Sequence, residues 1–277
     1  LQRVDLHTHS RHSDGTLTPT ELVALAQQRA VQLLALTDHD TTAGCTEAAS
    51  ACASAGIRFV NGIELTASWR GREIHIVGLR IAPEEVSLAA HTGDLSARRR
   101  ARIVAIGERL NKLGMAGTRL AEQALDQCPA PTRMHLARLL VESGAVAEPQ
   151  AAFDRWLGRG KSAFVSGDWP DIASTVTCIS QAGGLAVLAH AHRYPLSNGV
   201  LRELCSEFRQ AGGVGIEVSL AGSSPDDAAR LAALARRFDL AGSIGSDFHE
   251  PGLPWRPVGR FAKLPDHVRP IIDQLMA

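Results

Sequence analysis

The chain has 277 residues, with 29 Lys+Arg against 29 Asp+Glu; it is 45% hydrophobic and 21% charged. This composition excludes a disordered tail, a collagen-like repeat and a bare coiled coil. Its zero formal net charge disfavours a general nucleic-acid coat or a polybasic membrane binder. The length exceeds a usual single core of roughly 100–200 residues but suits a barrel. No apolar run reaches the roughly 18 residues of a spanning helix, and no signal-peptide pattern opens the chain, so the expected location is the cytoplasm. The chain opens on Leu, as a processed or trimmed terminus would. Five cysteines, at 45, 52, 128, 178 and 205, include no C-x-x-C pair and read as reduced, buried thiols.

The predicted strands, in chain order, are 4–9, 33–37, 58–64, 74–79, 186–189, 214–218 and 241–244. Amphipathic helical segments separate many of them. Thr18-Pro19-Thr20-Glu21 is a helix start with a cap, a proline at the first helical position and a capping box. Ser224-Pro225-Asp226-Asp227 opens another helix by the same logic. Strand–helix alternation predicts a parallel sheet, open or closed into a barrel. The alternation fails over 94–164, which reads as helices at 96–113, 118–126, 132–143 and 149–157. The expected organisation is therefore a barrel from 1–93 and 165–277, interrupted by a small all-helical insertion or cap at 94–164.

Histidines and acids gather where the predicted strands end. In Val4-Asp5-Leu6-His7-Thr8-His9 the two imidazoles are at i and i+2 of a strand, so both face one side and can reach one metal ion. Gly245-Ser246-Asp247-Phe248-His249 offers a carboxylate and an imidazole at the same spacing. Asp14, His39, Glu64, His75 and His190 complete a set of six histidines and three acids. All but His75 lie at or just beyond a predicted strand end, and the carboxyl ends of barrel strands are where barrel enzymes place functional residues. Imidazole mixed with carboxylate suits Mn, Fe or Zn better than Mg or Ca. Nine side chains exceed one mononuclear site, so two or three divalent ions are expected, with Mn placed first. No Walker loop, dinucleotide fingerprint or nucleophile elbow competes with this reading.

Asp5-Leu6-His7-Thr8-His9-Ser10, Ser13-Asp14-Gly15, Leu36-Thr37-Asp38-His39-Asp40, Gly62-Ile63-Glu64, His75, Ala189-His190 and Gly245-Ser246-Asp247-Phe248-His249 resemble, in order, the motifs of the polymerase-and-histidinol-phosphatase (PHP) family of metal-dependent phosphoesterases. The resemblance is greatest to its small stand-alone members, the nucleoside 3′,5′-bisphosphate phosphatases, some of which also trim short RNA from the 5′ end. It implies an α/β fold, a distorted seven-stranded (β/α) barrel. It also implies one ion on His7, His9, Glu64 and Asp247, a second on Glu64, His75 and His190, and a third on Asp14, His39 and His249. Asp5 and Asp38 would orient ligands. The family often has a proline after the penultimate histidine motif, where this chain has Ala191-His192-Arg193, which leaves His192 as an extra ligand, a substrate contact or a solvated loop residue.

Clustered divalent ions acidify water and neutralise phosphoryl oxygens, so the expected reaction is in-line attack of a metal-held hydroxide on phosphorus, with no covalent enzyme intermediate. Arg133 and His135, at a predicted helix start, and Arg193 are the expected substrate contacts, since arginine suits a second, non-reacting phosphate. Arg98, Arg99, Arg100 and Arg102 are read as a solvated helix face. Trp69, Trp156, Trp169 and Trp255 are candidate stacking platforms, with packing roles expected for most. Glu217 ends a strand within reach of the pocket but is left outside the site. The expected partner is a small phosphorylated nucleotide or short RNA, with no membrane and no obligate protein partner. The alternatives are a small-metabolite phosphatase, such as one for histidinol phosphate, and a polymerase-associated or non-catalytic module.

Overall fold

The computed structural model describes residues 3–253 and 255–276. Seven strands stand side by side in sequence order: β1 (Val4–Asp5), β2 (Leu33–Leu36), β3 (Arg58–Trp69), β4 (Arg72–Leu79), β5 (Leu185–Leu188), β6 (Gly215–Leu220) and β7 (Ala241–Gly245). The outer edges approach each other. Leu6 N–H donates to Ile244 O at 3.2 Å and Asp247 N–H to His7 O at 2.9 Å, so the sheet nearly closes into a barrel. Side-chain parity builds the two layers. In β2, Leu33 and Ala35 point into the barrel with Val4, Val60, Val77 and Val187, whereas Leu34 and Leu36 pack outward with Leu22, Val23 and Cys52. Both faces of the strand are therefore apolar, as a sheet covered by helices requires.

The sheet is not wholly parallel. β4 runs antiparallel to both β3 and β5, and the other neighbours are parallel. Only Arg70 and Gly71 separate β3 from β4, with φ of 49° and 71°. A two-residue turn with both φ positive makes a hairpin, while a parallel return needs a crossover of about a dozen residues. The reversal has a functional consequence. The first half of β4, carrying Glu73 and His75, lies at the end of the barrel where the parallel strands finish.

Helices α1 (Pro19–Gln28) and α2 (Cys45–Ala55) cover the sheet on one side. α1 has the capping box expected at Thr18 and Glu21. α3 (Val86–Lys112) starts ten residues before its predicted position, because the Glu85 side chain accepts from Ser87 N–H and caps it. Its first turns put Leu88 and Leu95 into the outer barrel core. Its later turns join a separate core with α4 (Gly117–Gln127), α5 (Arg133–Glu142) and α6 (Pro149–Ala152), built on Ile103, Ile106, Leu110, Leu136 and Leu140. Position 94 thus falls inside a continuous helix. α7 (Ile172–Gln181), α8 (Asn198–Gln210) and α9 (Pro225–Arg237) cover the remaining strands, and α10 (Ile272–Leu275) is the last helix among the described residues. All five cysteines are buried free thiols.

The arginine-rich stretch of α3 is only in part a solvated face. Arg99 and Arg102 turn inward and are buried, and helical periodicity carries Arg100 out to solvent. Arg99 Nε donates to Asp40 Oδ2 at 2.6 Å and its Nη2 to Thr66 Oγ1 at 2.7 Å. This pair fastens α3 to the loop after β2 and to β3. Removing one partner of a buried ion pair strands the other charge, so Arg99→Ala is expected to lower unfolding stability by about 3–5 kcal/mol. Arg100→Ala is expected to change it by about 0.5 kcal/mol or less. Urea denaturation of the two variants checks this; equal, small shifts would contradict the clamp.

Candidate metal centre

Six of the seven strands, at their ends or from within, contribute ligand groups to one cluster. His7 and His9 extend β1 and face the barrel mouth, while Thr8 turns the other way and donates from Oγ1 to Ala35 O at 2.6 Å. Gly245 lets β7 close on β1 here, since a Cβ on it would lie 2.5 Å from His7 Cβ. His39 follows β2, Glu64 lies within β3 opposite Val77, and His75 lies within β4 opposite Thr66. His190 follows β5, and Asp247 and His249 follow β7. His190 and Asp247 adopt left-handed backbone, with φ of 31° and 51°. For non-glycine residues that costs on the order of 1–3 kcal/mol and persists only where the surroundings enforce it. Here Asp247 N–H is held by His7 O, and His190 N–H donates to Glu217 Oε2 at 2.6 Å.

Glu64 is at the centre of the cluster. Its Oε2 lies 3.2 Å from His7 Nε2, 3.2 Å from His9 Nε2 and 3.1 Å from His39 Nδ1. Its Oε1 lies 3.1 Å from His75 Nδ1 and 2.9 Å from His190 Nε2. Ligand atoms converge in three groups: His7, His9, Glu64 and Asp247; His9, Asp14, His39 and His249; and His39, Glu64 and His75. The first group is the set that the family motifs imply. In the second, His9 joins the three residues named from the motifs. In the third, His39 takes the place next to His75 and Glu64, while His190 meets the same carboxylate oxygen as His75, Oε1.

The donor set fits cations. The Nε2 atoms of His7 and His9 are 3.0 Å apart, both aimed at the same two carboxylates. Among the described residues, Asp14 Oδ1, His39 Nδ1, Glu64 Oε2 and His190 Nδ1 are buried and make no hydrogen bond of acceptable geometry, the short approach between His39 Nδ1 and Glu64 Oε2 included. Such orphan atoms are rare in proteins, and a bound ion satisfies them. Burial opposes ionisation of Glu64, yet the imidazoles of His39, His7 and His75 hold its carboxyl well below the usual range. Asp14 and Asp247 are likewise held low against burial, chiefly by His39 and His249 for the first and by His249 and His7 for the second. Burial would lower His9, but Asp247 and Glu64 pull it up to about 9.

A second layer fixes the ligand groups. Asp38 accepts from Ser10 N–H, Ser10 Oγ and Ser13 Oγ at 2.6–2.7 Å, and Ser13 Oγ in turn lies 3.5 Å from His9 Nδ1. Asp5, which burial pushes up to about 6, accepts from Ser246 N–H and Gly259 N–H at 2.8 Å and joins β1 to the chain beyond β7. Thr132 Oγ1 donates to Asp14 Oδ2 at 3.0 Å. His135 is buried and accepts from Thr132 N–H through Nδ1 in the capping box of α5, so it supports Thr132. His192 is half-buried in the turn after His190, outside the three groups.

Beside His75 and His190 opens a chamber of about 470 Å³. Arg72, Arg102, Arg133, Arg159 and Arg193 line it, with Phe164, Trp169 and Tyr194. Glu73 is its acidic residue and is held well below the usual range, against burial, by His75, Arg102 and Arg133. Arg193 reaches out of the chamber to hydrogen-bond Asp247 Oδ2, which also pairs with Arg256 Nη1 at 3.1 Å. Of the tryptophans, Trp169 lines the chamber and donates to Glu73 Oε2 at 2.9 Å, Trp69 is buried on Glu207, Trp156 packs against the helical core and Trp255 is exposed. Sequence reasoning left out Glu217, Glu73 and Arg256. Only Glu217 carried a signal, as a lone acid in an apolar strand.

The family model described as PHP domain matches residues 5–125. A 3′,5′-nucleoside bisphosphate phosphatase of Chromobacterium violaceum is 44% identical, with 100% of this chain and 98% of that protein covered. A 5′-3′ exoribonuclease of Haemophilus influenzae is 42% identical, covering 99% of each chain. A solved Chromobacterium violaceum structure, described as an amidohydrolase with bound sulfate, superposes with a TM-score of 0.93 at 43% identity, covering 99% of this chain and 96% of that one.

Because His9 belongs to two of the three groups, His9→Ala is expected to lower divalent-ion content by about one equivalent or more and to weaken the remaining binding roughly tenfold. Elemental analysis after desalting, with circular dichroism to verify the fold, makes the test. Unchanged metal content would contradict the grouping.

Proposed function

The chain belongs to the PHP family, and from that premise we propose that it hydrolyses the 3′-phosphate of nucleoside 3′,5′-bisphosphates and trims short RNA from its 5′ end. The observation that carries this reading is the arginine-lined chamber opening directly beside the imidazole–carboxylate cluster. A substrate with one reacting phosphate and a second anionic group needs both compartments.

His7, His9, Asp14, His39, Glu64, His75, His190, Asp247 and His249 would hold two or three divalent ions, with Mn favoured and Fe or Zn compatible with the same donors. Bound there, such ions supply positive charge to the phosphoryl oxygens and acidify water. The chain's own residues do the rest. Glu64 and Asp247 fix the positions of the imidazoles around the reacting phosphate. Arg133 receives the second phosphate, held in place by Leu157 O at 3.2 Å and Glu73 at 3.5 Å. Phe164, Trp169 and Tyr194 offer apolar surface to a base or sugar. Residues 94–164 act as a cap that supplies Arg102, Arg133 and Arg159 to the chamber. A histidinol-phosphate substrate carries one phosphate and leaves this concentration of arginine without a role.

The test compares kcat/KM for a 3′,5′-bisphosphorylated nucleoside and for p-nitrophenyl phosphate. Arg133→Ala is expected to cost about ten- to a hundredfold on the bisphosphate, the value of a hydrogen bond to a charged group, and only a few fold on the minimal ester. Arg193→Ala is expected to reduce both, because Arg193 also holds Asp247. An equal effect of Arg133→Ala on both substrates would refute the second-phosphate assignment.

A further inference from the structure

We infer that Glu217 is a positioning residue that keeps the ring proton of His7 on Nδ1 and, with its other oxygen, holds the turn that carries His190. The inference rests on the reading of the cluster as a cation centre. Glu217 is buried on β6, and its neighbours Ile216 and Val218 face the outer core, so parity directs it to the barrel mouth. Its Oε1 lies 2.7 Å from His7 Nδ1, and its Oε2 accepts from His190 N–H at 2.6 Å. The first contact decides the chemistry of His7. A proton on Nδ1 leaves the Nε2 lone pair free, and Nε2 is the atom aimed at His9, Glu64 and Asp247. The second contact holds a backbone at φ 31°. One side chain therefore governs two ligand groups on different strands, His7 beyond β1 and His190 beyond β5.

Glu217→Gln separates the two contacts with little change of shape. An amide has one acceptor and one donor end. The backbone N–H of His190 can only donate, so the amide oxygen must turn toward it. The NH₂ group then faces His7 Nδ1, which has to accept, and the His7 proton moves to Nε2, where it blocks ligation. The opposite amide orientation leaves the His190 N–H facing another donor and releases the turn.

The experiment titrates wild type and Glu217→Gln with Zn²⁺ against a competing chelator. It also records the ring N–H resonances of the zinc-loaded proteins after ¹⁵N-histidine labelling. The expected result is a low-field Nδ1–H resonance for His7 in wild type, its loss in the variant, and a fall in Zn²⁺ affinity of about ten- to a hundredfold. Wild-type protein that binds no Zn²⁺ overturns the cation reading and this inference with it. Wild-type protein that binds Zn²⁺, with a variant of equal affinity and an unchanged His7 resonance, overturns the role of Glu217 alone. Should the variant not fold, the wild-type spectrum decides: a His7 proton on Nε2 in the zinc-loaded protein overturns the inference.

Discussion

A single buried carboxylate organises this molecule. The two oxygens of Glu64 meet five imidazole nitrogens, from His7, His9, His39, His75 and His190, at 2.9–3.2 Å. An isolated carboxylate so deep in the protein would carry a heavy desolvation cost, and it is tolerated only when paired. The imidazoles come from the ends or interiors of four different strands besides its own. Their convergence requires that β4 run backwards, and the closure of β1 on β7 beside Gly245 brings Asp247 and His249 to the same centre. The fold and the site are in that sense one constraint. Left-handed backbone at His190 and Asp247 is the local strain that this convergence demands.

The helical core built on α3 to α6 is joined to this centre through charge. α3 runs without interruption from the barrel's outer core into the helical core, and Arg99 locks it to Asp40 and Thr66. Three residues further on, Arg102 donates to Glu73 at 2.8 Å, and Glu73 lies two residues from His75 on β4. Thr132, at the start of α5, reaches back to Asp14. The side chains that line the chamber and those that hold the cluster are thus registered by a few short polar links.

Much of this was legible in the chain before any coordinates. Apolar runs of four to eight residues marked all seven strands, and the i, i+2 spacing in His7-Thr8-His9 and Asp247-Phe248-His249 placed paired ligands on one side. Alternation does not show the direction of β4, although the nine residues between the predicted strands 58–64 and 74–79 are too few for a crossover and point to a reversal. Arg99 and Arg102 lie on the same helix stripe as Leu95, Ile103, Ile106 and Leu110, which points them inward, but the stripe does not show which acids would receive them. Their acidic partners, Asp40 and Glu73, are 59 and 29 residues away in sequence. Glu217 is a single acid in an otherwise apolar strand; such a group needs a buried partner, and that partner is His7. The place of His135 at a helix start suggests a substrate contact in sequence; in the structure it is also the reciprocal half of a capping box, which no capping motif of Glu or Gln announces.

The central claim is that Glu64 is shared between cations held by the surrounding imidazoles. Crystals grown with Mn²⁺, with anomalous diffraction collected above and below the manganese absorption edge, test it directly. The account predicts at least two anomalous peaks within ligand distance of the cluster, one shared by Glu64, His7, His9 and Asp247 and another involving Asp14, His39 and His249. Density without anomalous signal around Glu64, or manganese bound only elsewhere on the protein, would contradict it.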